Sequence, residues 1–343
     1  MYRRFRRWWK ALPVNEKSNF TQRIKSHKWK LGGFFTGVSV LCAGYYVTHL
    51  EETPFTHRKR FVAFTPSQFE QICEVEYKSI LEEHKNNLMP ASHPTTKRVL
   101  KVANQLLLSN ADFPQITDHK WAVSVVNDPT ENAFALPSGH IFVFTGMLSL
   151  CENNDQLGIV LSHEMSHALL RHGPELVSYG HLFDLAMIVV IGAIWLILPT
   201  DVISLLFQYF SDKMIELCMH LPYNRMLENE ADEVGLYLAA KACFDVRESS
   251  AFWKKMEIRS TMKGEQEVEW LSTHPTHENR SHSLDQLIPK AIEIRSQSKC
   301  QRLNNVDPRQ EIQLFNKALQ QVKNKELLKT LNIKVDSVGS QRN

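Results

Sequence analysis

Six cysteines, at positions 42, 73, 151, 218, 243 and 300, include no pair at CxxC spacing. That excludes a cysteine-built zinc site or a thioredoxin-type redox motif, and singly scattered cysteines read as small buried apolar side chains. Excess charge is missing as well. A formal net charge of +3 over 343 residues makes no case for nucleic acid as a partner. Acidic residues are scarce in one place: residues 1–30 hold ten Lys or Arg and a single acid, Glu16. An Arg-rich, acid-poor start has the composition of a mitochondrial targeting segment, although an arm resting on anionic lipid would look similar. The mitochondrial reading is the better fit, and no small-residue cleavage site follows that would make the next segment a signal peptide.

What the chain does have is 43% hydrophobic residues, enough for one large globular domain with appendages. Leu31–Leu50 is free of Lys, Arg, Asp and Glu and carries Tyr45 and Tyr46 near its end. It is long enough for one membrane-spanning helix, with tyrosines suited to the interface. The basic arm before it should stay on the negative side of the membrane while the rest crosses. Residues 67–83 and 94–108 read as amphipathic helices, and Trp121–Val126 and His140–Thr145 as strands rich in β-branched and aromatic residues. Between those strands Pro137 and Gly139 restrict Glu131–Gly139 to an edge strand and a turn. Such an edge can take an extended peptide by backbone hydrogen bonds.

The chemistry concentrates in His163-Glu164-Met165-Ser166-His167. Four-residue spacing on a helix puts both imidazoles on one face, one turn apart, as two nitrogen ligands of a tetrahedral zinc require. Glu164 beside them can act as the general base of a metalloprotease. The flanks, Leu157 to Leu161 and Ala168 to Leu170, are apolar almost all round. The helix is therefore buried, and its polar heads need a partner such as a metal.

A zinc hydrolase needs a third protein ligand and an open position. Arg225–Leu236 reads as a helix on which Glu228, Asp232 and Gly235 share one face while Glu230 points the other way. Glu228 is the expected ligand. Asp232 is the acid that accepts a histidine's other ring N–H, and Gly235 a point of close helix approach. Before that helix lies a strongly apolar run, Leu185–Leu198, followed by the partly apolar Val202–Phe210. A single crossing there would strand the zinc ligands on opposite sides of a bilayer, so the segment must return, lie along the interface or be buried. A membrane-contacting insert over 182–210 fits best.

HEMSH, the Arg225…Glu228-x-x-Ala231-Asp232-x-x-Gly235 pattern, Asn132–Gly139 and Ser272-Thr-His-Pro275…Arg280 together resemble the gluzincin family of CAAX prenyl proteases and HtpX. From the span to about residue 300 the chain resembles more closely the mitochondrial inner-membrane branch, metalloendopeptidases whose activity overlaps that of the m-AAA protease. The resemblance implies one Zn2+ held by His163, His167 and Glu228, with Glu164 as the catalytic base. It implies further that Asn132, Ala133, Phe134, Ala135 and Leu136 hold substrate backbone, and that His274 or Arg280 stabilises the tetrahedral oxyanion. His277 fits no role. The implied substrates are membrane-bound proteins, including the inner-membrane dynamin-like fusion GTPase, cleaved in quality control and stress response. The lipid bilayer is a further partner, and homo-oligomers are a family expectation.

The expected fold is α+β and mostly helical, a zincin (gluzincin) catalytic domain with a small sheet and an N-terminal transmembrane helix. It divides into an arm over 1–30, a span over 31–50, a metallopeptidase domain over 51–300 and a charged helical tail over 301–343. The catalytic domain would face the intermembrane space, where disulfides are permitted and Cys243 could pair with Cys300. Two rival readings are a general quality-control protease of another membrane and a catalytically silent zincin-like scaffold. An intact Glu164 argues against the second.

Overall fold

The computed structural model describes residues 13–195, 222–263, 270, 274, 280–318 and 321. In chain order its elements are α1 (Val14–Thr48), β1 (Leu50–Glu52), β2 (Lys59–Phe61), α2 (Pro66–Glu83), α3 (Pro94–Ser109), α4 (Pro114–Thr117), β3 (Ala122–Val126), β4 (Ala133–Ala135) and β5 (His140–Phe144). There follow α5 (Thr145–Leu150), α6 (Asn154–Leu169), α7 (His172–Trp195), α8 (Pro222–Lys241), α9 (Glu248–Lys263) and α10 (Arg280–Gln297), then a helical stretch over 308–318. The architecture is mostly helical with small sheets, as expected. The chain divides into two compact units: Met1–Phe69 with Arg171–Asn224, and Glu70–Leu170 with Arg225–Asn343.

In the first unit α1 contains a 21-residue stretch, Lys28–Thr48, long and apolar enough to cross a membrane. The helix stops two residues before the expected end of the span. The Thr48 hydroxyl turns back to the carbonyls of Gly44 and Tyr45, a local bond that competes with continued helix, and Leu50 opens the antiparallel β1–β2 hairpin. Phe61, fully buried, packs against Tyr45, Tyr46 and Tyr179. Arg58 forks onto Glu175 of α7 at 2.6 and 2.8 Å, the bidentate geometry that suits a guanidinium. Of the expected 182–210 insert, α7 covers the part up to Trp195, with Leu185 and Ile188 exposed; the remainder lies outside the described residues. So do residues 1–12 of the basic arm, His277, and the tail beyond 321.

The second unit is built on a three-stranded sheet in the order β3-β5-β4, with β3 parallel and β4 antiparallel to β5. Placing β5 in the middle buries Ile141–Phe144, which explains its apolar run, and leaves β4 at the edge where Pro137 does no harm. Gly139 turns the chain between β4 and β5 with φ of +90°, and a Cβ there would lie 2.9 Å from the Lys120 carbonyl oxygen. Helix α6 packs on β4 and against α3 and α9. Its first turn is capped by the Asn153 side chain, which accepts from the Gln156 amide, satisfying an otherwise orphan donor. From Gln156 to Leu169 every residue except His167 is buried.

Two of the cysteines form a bond: Cys243, just past α8, and Cys300, just past α10, are joined with 5.2 Å between their Cα atoms. The link closes a separation of 57 residues, a constraint worth about 4 kcal/mol in the chain-entropy account. Cys73 and Cys151 are free and buried. Burial pushes their thiols up to about 11 and about 12, so these two are inert packing groups. Cys218 lies outside the described residues.

Candidate metal centre

Helices α6 and α8 approach each other at Gly235, where an added Cβ would stand 3.0 Å from both N and Cα of His163. Any larger residue would push apart the backbones that carry His163 and Glu228. The closeness has a chemical result. His163, His167, Glu228 and His274 each present one ligand atom, all within 4.8 Å of one another, and three of the four residues are buried while His167 is half-buried.

The distances inside this group test whether it fits a metal. The Nε2 atoms of His163 and His167 are 3.1 Å apart, Nε2 of His163 is 3.3 Å from Nδ1 of His274, and the Glu228 carboxylate lies 3.5 Å from each of the first two. Ligand atoms about 2.0–2.1 Å from one tetrahedral zinc stand roughly 3.3 Å apart. The donor set is nitrogen and oxygen without sulfur, which suits zinc and other divalent first-row ions. The group can hold a metal ion.

Surrounding contacts orient it. Oδ1 of Asp232 lies 3.0 Å from Nδ1 of His163, close enough to favour the proton on that nitrogen and a lone pair on Nε2, although the ring N–H is not well aligned for a straight hydrogen bond. Arg280 forks onto Asp232 with Nε at 2.7 Å and Nη2 at 2.8 Å, places Nη1 2.9 Å from Glu228, and lies 3.3 Å over the Trp253 ring. Its guanidinium is thus engaged by two carboxylates and an aromatic face. His274 sits 3.0 Å from Glu228 through Nδ1 and 3.5 Å from Glu164 through Nε2. Glu164, 2% exposed, accepts a hydrogen bond from the Trp270 indole at 2.9 Å.

The charges are mutually dependent. Burial pushes the Glu228 carboxyl up, but His274, Arg280 and His167 outweigh it and hold it well below the usual carboxylate range. Asp232 is likewise raised by burial and lowered further by Arg280 and His163. Burial pulls the His163 imidazole down, yet the contacts with Asp232 and Glu228 bring it up to about 9.

Residues 90–288 match the family model described as peptidase family M48. The chain belongs to peptidase family M48. The matched span runs from just before α3 into α10 and contains every residue of the metal group. Three relatives match beyond that span. The human protein named "Metalloendopeptidase OMA1, mitochondrial" is 40% identical over 342 residues, covering 99% of this chain and 65% of that protein. The "Mitochondrial metalloendopeptidase OMA1" proteins of Schizosaccharomyces pombe and Saccharomyces cerevisiae are 32% and 31% identical, covering 81% and 89% of this chain and 77% and 86% of theirs. The chain spans about two thirds of the length of the human relative.

Of the residues singled out from the sequence, His163, His167, Glu228, Asp232, Glu164, His274 and Arg280 converge within this one buried cluster. Asn132 and Ala133–Ala135 lie on and beside edge strand β4, against which α6 packs, and Leu136 closes it with its amide bonded to the His140 carbonyl. Two side chains of the cluster went unnoticed in the sequence, Trp253 and Trp270. They stack on each other with centroids 4.6 Å apart at 15°. Trp270 precedes His274 by four residues, a spacing that is visible in the sequence, and the His274 amide bonds its carbonyl at 2.9 Å.

Proposed function

We propose that the chain is a membrane-anchored, zinc-dependent endopeptidase of mitochondria. The observation that carries this reading is a buried donor group of His163, His167, Glu228 and His274 with the Glu164 carboxylate beside it. In a buried helix these polar heads are costly without a cation to gather them.

His163, His167 and Glu228 would hold the ion, with Asp232 and Arg280 fixing the orientation of His163 and Glu228. Bound zinc supplies Lewis-acid activation of a carbonyl and of a water molecule. Glu164 takes the proton from the attacking water and delivers it to the leaving amine. Because Arg280 is engaged by Asp232 and Glu228, stabilisation of the tetrahedral oxyanion falls to His274, whose Nε2 stands 3.5 Å from Glu164. An extended substrate joins the open edge of β4 along Asn132–Leu136, with backbone hydrogen bonds giving affinity.

The mitochondrial assignment is supported by the names of the relatives and by the basic composition of residues 1–30; the 21-residue apolar stretch of α1 supports anchoring. In this reading the catalytic residues face the intermembrane space from the inner membrane. The substrates are membrane-bound proteins, the dynamin-like fusion GTPase among them, and the chain assembles with copies of itself. The test is metal content together with cleavage of a membrane-tethered reporter by the wild type and by Glu164→Gln. Zinc at one per chain in both proteins, with cleavage lost by a factor of about 100 or more in the variant, is the expected result. Equal cleavage by both removes Glu164 as the base, and zinc binding with no cleavage by either favours a scaffold.

A further inference from the structure

The side chain of Glu164 is 2% exposed, with His274 Nε2 3.5 Å from Oε1, and its position has to be maintained by something other than solvent. Among the described residues the hydrogen bond to it comes from the Trp270 indole, on Oε1 at 2.9 Å. Trp270 is itself 1% exposed and fixed from three directions. Trp253 stacks on it face to face, Phe252 meets its edge at 5.9 Å, and its amide donates to the Glu131 carbonyl at 3.2 Å. Glu131 immediately precedes the Asn132–Leu136 edge and is ion-paired with Arg259. Arg280, over the other aromatic of the pair, reaches Asp232, which faces His163. The stacked tryptophans therefore join the carboxylate at one end to the orientation of a metal-group histidine at the other.

We propose that Trp270 is a positioning residue for Glu164: its indole N–H holds Oε1 in place and leaves the second oxygen for the water proton. The inference rests on the peptidase reading above. An indole N–H is a donor only, so it can pin a carboxylate without ever competing for the proton that the carboxylate must accept. A hydrogen bond to an ionised group inside a protein is stronger than one between neutral groups, and a base displaced by a rotamer change loses its reach to the water. Because the same residue also bonds Glu131, it sets the base in register with the substrate edge as well.

The experiment uses the chain reconstituted in a bilayer, with a membrane-tethered peptide reporter, and reads kcat, KM, zinc per chain and thermal midpoint. Trp270→Phe keeps an aromatic ring and removes the donor. As a second variant, 3-benzothienylalanine at position 270 replaces the N–H with sulfur in a ring of the same shape, which protects the test against a fold that will not tolerate phenylalanine. The expected result for both is a fall in kcat of about 10- to 100-fold, the size of one charge-assisted hydrogen bond, with KM within about twofold and zinc content unchanged. A benzothienyl variant with wild-type kcat overturns the positioning role, since only the donor has been removed. A loss confined to Trp270→Phe and accompanied by loss of zinc or of thermal stability also overturns it, as a packing effect. A wild type that cleaves no faster than Glu164→Gln overturns the proposed function itself, and the positioning role with it.

Discussion

Arg60 and Arg280 are both 2% exposed, yet they are buried for different ends. Arg60, in the hairpin of the first unit, forks with Nε and Nη2 onto one oxygen of Glu51, a carboxylate whose side chain is 39% exposed. Water can take over if that pair is broken. Arg280, in the second unit, serves Asp232 and Glu228, which are 6% and 7% exposed, and no solvent can replace it there. A buried ion pair with a wet partner is a structural clasp. A buried cation between two dry carboxylates belongs to a group of charged side chains whose donor atoms could hold a metal.

Removing each guanidinium in turn should have unequal consequences. Arg280→Met leaves two buried carboxylates facing each other and should destabilise the metal-free protein by about 3–5 kcal/mol. Added zinc should recover part of that loss, because the cation offsets the same carboxylates. Denaturant melts with and without zinc measure both effects, and a variant as stable as the wild type would contradict the charge balance described here.

Next in size is Gly235→Ala. A Cβ 3.0 Å from the His163 backbone forces α6 and α8 apart, for about 1–3 kcal/mol of stability, and weakens zinc binding at the same time. Zinc titration by calorimetry reads the second consequence. Retention of wild-type affinity would show that the helix approach does not set the metal geometry.

The metal group also carries a pH dependence. The His163 imidazole, raised to about 9 in the metal-free fold, exceeds its unfolded value of about 6.5. Its contribution to metal-free stability is therefore fully present below about pH 6.5 and lost as pH rises through 9. Zinc must displace that proton, so over the same window zinc affinity should rise by up to about tenfold per pH unit. A flat profile between pH 6.5 and 9 would exclude His163 as the proton that zinc displaces. The smallest effect belongs to Arg60→Met, about 1 kcal/mol, since Glu51 keeps Arg171 at 3.7 Å and access to water. Zinc should not alter that loss.

The parts that were legible in the sequence are the local ones. Four-residue spacing placed His163 and His167 on one helix face, and Glu228, Asp232 and Gly235 on another, because helix geometry is a property of the chain within a turn or two. Pro137 and Gly139 marked the edge strand for equally local reasons. The tryptophan pair escaped notice because the stack of Trp253 on Trp270 joins two residues too far apart in the chain for helical spacing to link them. Helix α1 ends two residues short of the apolar stretch because the Thr48 side chain turns back on its own helix, which hydropathy alone does not register.

By itself the sequence determined which residues could be ligands, base and orienting acid, since spacing and side-chain chemistry are written in it. Only the tertiary structure decided that His274 joins the donor group across a separation of 111 residues from His163, and that Arg280 is spent on Asp232 and Glu228. Those outcomes depend on how closely α6 and α8 pack and on which buried charges must be neutralised together. Both are settled by three-dimensional packing and electrostatics, which no local pattern encodes.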